Sequence, residues 1–147
     1  MLIHGKCHCG NISFILEWPG DPPEIPARAC GCSFCVAHGG VWTSSPSSGL
    51  AVAIRDPALV SKYVFGTRTA TFYVCSRCGA VPVVTSEIAG DLYAVVNVNV
   101  LANVEESWLR RAPSRFEGED IESRLARRRR NWIGKVRIIE GAAGDAA

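Results

Sequence analysis

A chain of 147 residues, 48% apolar and 20% charged, has the size and balance of one globular domain with one core. No apolar run approaches the roughly 18 residues that cross a bilayer. The formal charge of +2 is no mark of a nucleic-acid protein, because seven thiolates held by two divalent ions would turn that balance slightly negative.

Residues 1–10 reach His4, Lys6 and His8 without the apolar stretch of a secretory signal, so the chain is expected to be cytoplasmic. Residues 11–16 read as a strand, ended by the turn-forming Trp18-Pro19-Gly20-Asp21-Pro22-Pro23. Residues 39–43, 50–54, 61–65 and 69–74 are further short strands, separated by Ser/Pro/Gly-rich joints. Residues 81–85 and 92–100 continue the series with many β-branched side chains. Such spacing describes a mainly β body, with a first domain over 1–104. Asn97 and Asn99 alternate along the last strand, facing one side, where they could line a pocket or satisfy neighbouring backbone.

Beyond residue 104 the composition changes: nine of thirteen arginines lie between Arg110 and Arg137. Residues 105–147 are expected to form an Arg-rich C-terminal extension. A helix is predicted near 118–132, with Asp120 and Arg124 at i,i+4 and with Ile121, Leu125 and Trp132 on its docked face. A strand over 132–140 and a frayed end over 141–147 complete it. The run Arg127-Arg128-Arg129-Arg130 has no interleaved aromatics for base stacking. It is read as a solvated helix face, available for docking or homo-oligomer contacts, and nucleic acid is not expected as a partner.

Seven cysteines are an odd number, and in a reducing compartment metal binding is the default reading. They fall in three groups: Cys7-His8-Cys9, then Cys30-Gly31-Cys32-Ser33-Phe34-Cys35, then Cys75-Ser76-Arg77-Cys78-Gly79. A structural zinc takes four protein ligands, and a catalytic zinc takes three with one open position. Seven therefore divides as four plus three. Cys7, Cys9, Cys75 and Cys78 would close one site, and Cys30, Cys32 and Cys35 would hold a second ion. Spacing leaves open the other partition, with Cys75 and Cys78 completing the Cys30 group. His38, three residues past Cys35, is a possible fourth ligand, whereas His8 would point away from its cysteine neighbours. Trp42 could wall a pocket or fill the core.

The order Gly5-x-Cys7-x-Cys9-Gly10, Cys30-x-Cys32-x-x-Cys35, Cys75-x-x-Cys78-Gly79 resembles the glutathione-dependent formaldehyde-activating enzymes, a family that includes centromere protein V. The resemblance covers about residues 3 to 101. It implies a β-tent of small antiparallel sheets clamped by zinc, followed here by the short helical extension. It also implies two zinc ions per chain. Cys7, Cys9, Cys75 and Cys78 match the structural site, and Cys30, Cys32 and Cys35 match the site credited with catalysis. There a glutathione thiol meets formaldehyde to give S-(hydroxymethyl)glutathione, which is carbon-sulfur lyase chemistry run in the synthetic direction. Two departures stand out: Gly31 where the family often has His, and Val74 where an aromatic commonly precedes the C-x-x-C. The partners implied are a small-molecule thiol and a small carbonyl, and Arg55, Lys62 and Arg68 are cations of the right type for the thiol's carboxylates. The alternative functions are a non-catalytic zinc module that binds protein or DNA, and a redox switch at Cys30, Cys32 and Cys35.

Overall fold

The computed structural model describes residues 1–141. Residues 142–147, most of the end expected to fray, lie outside the described residues. Among the described residues eleven strands form two sheets. The smaller contains β1 (Leu2–Lys6), β2 (Ile12–Glu17), β5 (Gly49–Ile54) and β11 (Lys135–Glu140), in the order β1-β2-β5-β11. The larger is built from β3 (Ile25–Cys30), β4 (Val41–Thr43), β6 (Val60–Tyr63), β7 (Thr71–Cys75), β8 (Val83–Ile88), β9 (Asp91–Asn97) and β10 (Leu109–Ser114). Its order is β10-β3-β4-β9-β8-β7-β6.

The mainly β expectation holds, and most neighbours are antiparallel, but two pairs are parallel: β10 with β3, and β11 with β5. These strands come from the stretch expected to be an extension, which instead supplies an edge to each sheet. Parallel partners far apart in sequence leave no hairpin signal to read. β11 lies within the strand expected over 132–140, whereas β10, β1 and β3 have no counterpart among the expected strands. β1 is short and carries His4, Gly5 and Lys6, and β3 contains Pro26, residues that depress strand propensity.

The main core lies between the sheets, where Ile3, Ile12, Phe14, Leu16, Val52 and Ile54 meet Ile25, Val83, Val96 and Ile133. Strands β8 and β9 are apolar on both faces. Val83 and Val96 pair across the ladder and face the main core, while Val84 and Val95, one step along, belong to a second cluster with Cys35, Trp42 and Val81. Alternation along a strand sends successive side chains to opposite faces, so the second cluster covers the outer face of the large sheet. Two helices contribute there: α1 (Ser33–His38), which was not predicted, and α2 (Ile121–Asn131).

The placement of α2 corrects the sequence reading of its faces. Ile121 is half exposed, whereas Arg128, expected on the solvated side, is only 6% exposed. Its Nη1 donates to Thr69 O, Thr69 Oγ1 and Ser86 Oγ, and its guanidinium sits 4.9 Å from the Trp132 ring centroid. Arg129 and Arg130 are exposed as expected. Asp120 caps the helix by accepting from Ser123 N. After Trp132 the chain is pinned at Ile133, which exchanges backbone hydrogen bonds with Ala94.

Candidate metal centres and the cavity beside one of them

Two turns create the first cysteine group. In the turn after β1, Cys7 N donates to Ile12 O, Gly10 N to Cys7 O, and Ile12 N to Cys7 Sγ at 3.3 Å. In the turn after β7, Cys75 N donates to Ala80 O, Gly79 N to Cys75 O, and Cys78 N to Cys75 Sγ at 3.5 Å. Gly10 and Gly79 have φ of 86° and 82°, a backbone that favours glycine. Both turns thus aim their sulfurs inward and surround them with N–H donors. Cys9 Sγ lies 3.7 Å from Cys7 Sγ and 3.5 Å from Cys75 Sγ, and all four sulfurs of Cys7, Cys9, Cys75 and Cys78 lie within 4.8 Å of one another. A tetrahedron with metal–sulfur bonds of about 2.3 Å has edges of about 3.8 Å. The donor set fits a four-thiolate ion.

The second group sits where β3 runs into α1. Cys32 is the N-cap of that helix, its Sγ accepting from Cys35 N at 3.4 Å, and Gly39 ends the helix in the left-handed conformation. One short turn therefore gathers Cys30, Cys32 and Cys35, whose sulfurs also lie within 4.8 Å of one another. The buried Trp42 donates its Nε1–H to Cys35 Sγ at 3.3 Å. His38 does not join the cluster. Its ring packs on Phe34 at 4.6 Å and near Trp42 at 6.0 Å. The partition with Cys75 and Cys78 beside Cys30 is not the one formed, and His8 is exposed, apart from both groups.

Crowded thiols share protons, and the two groups titrate accordingly. The hydrogen bond from Cys35 pulls the Cys30 thiol down to about 5, helped by the Cys32 backbone N–H against the opposing effect of burial. Cys35 is pushed up, first by that same bond and then by burial. In the other group burial pushes Cys7 up to about 12. At Cys78 burial acts upward, but the backbone N–H groups of Ala80 and Cys9 outweigh it and lower the thiol to about 6. Each group is poised to exchange its shared protons for a cation.

What separates the groups is their surroundings. Cys30, Cys32 and Cys35 open onto a cavity of about 420 Å³, within the usual range for a small-ligand site. Trp42, Phe65, Phe72, Val84 and Val95 make an apolar wall, and Ser114 at the end of β10, the residues 115–117 that follow it and α2 complete the lining. The cations of the cavity are Arg28, Arg115, Arg124, Arg127 and Arg128. Arg55, Lys62 and Arg68, singled out by type, are exposed and none lines the cavity. Lys62 pairs with Glu140 at 3.0 Å instead. The missed arginines lie in β3 and in the arginine-dense C-terminal stretch, where density alone was the available signal.

Gly31 also lines the cavity. A Cβ there would stand 3.2 Å from Arg115 Cγ and 3.5 Å from Ser114 O, so a side chain at position 31 would pack directly against the Arg115 side chain and the end of β10. Asn97 and Asn99 do not line the cavity. Asn97 Nδ2 donates to Val81 O while its Oδ1 accepts from Asn99 N, and Asn99 Nδ2 donates to Gly39 O. Strand β9 ends at Asn97, and Asn99 lies in a following 3-10 turn, so the two do not share a strand face. Their work is to satisfy backbone groups.

Two cysteine clusters that could hold metal ions are thus set in a two-sheet, mainly β domain. The family model described as glutathione-dependent formaldehyde-activating enzyme matches residues 2–116, and the chain belongs to that family. A comparison with curated proteins gives no match. A crystal structure of a Rhodobacter sphaeroides protein is similar, with a TM-score of 0.51 and 28% identity over 71% of this chain and 92% of that one. Among the described residues no helix is long and apolar enough to cross a membrane.

Proposed function

We propose that the chain is a cytoplasmic, zinc-dependent carbon-sulfur lyase/synthase that joins a small-molecule thiol to a small carbonyl compound and reverses that step. Glutathione with formaldehyde, giving S-(hydroxymethyl)glutathione, is the pair that family membership suggests. The observation that supports this reading is the position of the Cys30, Cys32 and Cys35 sulfurs, gathered within 4.8 Å and opening onto the 420 Å³ cavity. No His, Asp or Glu ligand atom joins them among the described residues.

Zinc held by these three residues would accept a thiol as its exchangeable ligand and favour the thiolate, the nucleophilic form. In the forward step the thiol gives up its proton, its sulfur bonds to the carbonyl carbon, and the C=O π pair moves to oxygen, which takes up a proton. The reverse step breaks the same C–S bond and returns thiol and carbonyl. Trp42 holds the Cys35 sulfur in place through its N–H, and the aromatic wall gives the reacting atoms an apolar side. Cys7, Cys9, Cys75 and Cys78 would hold the second, structural zinc.

Zinc content and zinc-edge spectroscopy, with and without glutathione, test the proposal. Two ions per chain are expected, one of which gains a sulfur neighbour when the thiol is added, together with faster glutathione–formaldehyde exchange by NMR. One ion per chain, or an edge that ignores every thiol offered, would instead make the chain a non-catalytic zinc module.

A further inference from the structure

The cavity beside the cysteines is lined with an unusual density of cationic side chains. Arg115 is exposed and pairs with the equally exposed Glu117. Four other guanidiniums, those of Arg28, Arg124, Arg127 and Arg128, line the same cavity. Their one ion-pair partner among the described residues is Glu119, bound by Arg127 at 3.0 Å and approached by Arg124 at 3.9 Å. The side chains of Arg124, Glu119 and Arg127 are only 21%, 18% and 16% exposed, so solvent compensates little of the excess positive charge. Buried charge without a partner is costly, and a cavity that keeps it is built to receive the opposite charge.

Two of the four brace the helix. Arg128 spends Nη1 on Thr69 and Ser86, and Arg124 Nη2 donates to Phe116 O, while the Nε of each is buried without a hydrogen-bond partner among the described residues. The other two are likewise held in place and keep donors free. Arg127 lies 3.5 Å from the Phe116 ring centroid and gives Nε and Nη2 to Glu119, leaving Nη1. Arg28 gives Nη2 to Ser44 Oγ, which is itself fixed to Asn131 O at the end of α2. Arg28 stands two residues before Cys30 in β3, and Arg28, Arg127 and the three cysteines line one cavity. They are parts of one site.

Resting on the reading of that cluster as a thiol site, we infer that Arg28 and Arg127 form a carboxylate subsite that selects thiols carrying an acid group. Helix α2 is the specificity wall. Planar guanidinium donors suit a carboxylate's two oxygens. Of the two, Arg28 lies within the matched residues 2–116 and Arg127, on α2, lies beyond them.

The test is calorimetric titration of the zinc-loaded full chain with 3-mercaptopropionate and with the neutral 2-mercaptoethanol. The acid should bind about tenfold more tightly or better, the effect of one charge-assisted hydrogen bond. That ratio should fall to about twofold in Arg127→Gln and in Arg28→Gln, with Arg127→Lys between. Circular dichroism shows whether each variant is folded, and the ratio in the unaltered chain stands without them. Equal affinity of the two thiols for the unaltered chain overturns the subsite while leaving the thiol site intact. Persistence of the ratio in both folded Gln variants overturns the assignment to Arg28 and Arg127. Binding of neither thiol overturns the subsite and the thiol-site reading together.

Discussion

The two cysteine groups use similar local devices, tight turns with N–H donors aimed at sulfur, yet they stand in different relations to the chain. The four-sulfur group joins the turn after β1 to the turn after β7, with Cys9 and Cys75 in contact across 66 residues. The three-sulfur group closes within a single turn between β3 and α1 and connects nothing distant. A ligand set that bridges distant segments stabilises the fold because binding and long-range closure become one event. A set that is local contributes less to folding and is free to serve chemistry. The cavity lies beside the local one.

The largest expected effect comes from breaking the bridging group. Structural zinc in small peptides contributes about 10–16 kcal/mol, and whole domains are stable by only about 5–15 kcal/mol. Cys78→Ser should therefore remove the cooperative thermal transition and the β-sheet dichroism. A Cys78→Ser protein that melted like the parent would sink the division of roles.

Cys32→Ala should do the opposite. Thiol–carbonyl exchange should fall to the spontaneous rate and zinc content from two ions per chain to one, while circular dichroism stays that of a folded β protein. Loss of fold in Cys32→Ala with zinc retained would exchange the two assignments.

A smaller loss is expected at α2, which packs over the cavity side alone. Arg128→Met removes the charge-assisted hydrogen bonds to Thr69 and Ser86 and leaves only the bond from Ser86 Oγ to Thr69 O to join those residues there, a cost of about 1.5–3 kcal/mol. The thermal midpoint should drop by several degrees with both zinc ions retained. An unchanged midpoint would show that α2 is not anchored through this residue.

The smallest effect separates tuning from folding. Trp42→Phe keeps a ring in the second cluster and removes the N–H donated to Cys35 Sγ. Thiol binding should weaken by about two- to tenfold, the range of one hydrogen bond, with little change in melting. A shift in melting without one in thiol binding would make Trp42 a core residue only.

The strands that the sequence made legible are those where a strong local pattern coincides with a local turn. β5, β8 and β9 are runs of β-branched or apolar residues flanked by Gly, Pro and Asp. β1 and β3 have weak propensity and are held by their neighbours in the sheets. α1 is six residues long, too short to show a helical period, and it is stabilised by the Cys32 cap and Gly39. The cysteine groups were legible because ligand spacing is set by the length of a turn, a local quantity. For the same reason His38 looked available from its distance in sequence to Cys35, although its ring turns toward Phe34 and Trp42.

The sequence by itself determined the mainly β character, the three cysteine groups and the family, since strand propensity and turn-spaced ligands act over a few residues. Only the tertiary structure decided which turns share a sulfur cluster, that the C-terminal stretch gives each sheet a parallel edge strand, and that Arg28 and Arg127 face the same cavity. Those are pairings between segments dozens of residues apart. They are selected by the burial of Val84, Val95 and Trp42 on one face of the large sheet and of Arg128 beneath α2, and no local pattern encodes which distant surface will cover a given face.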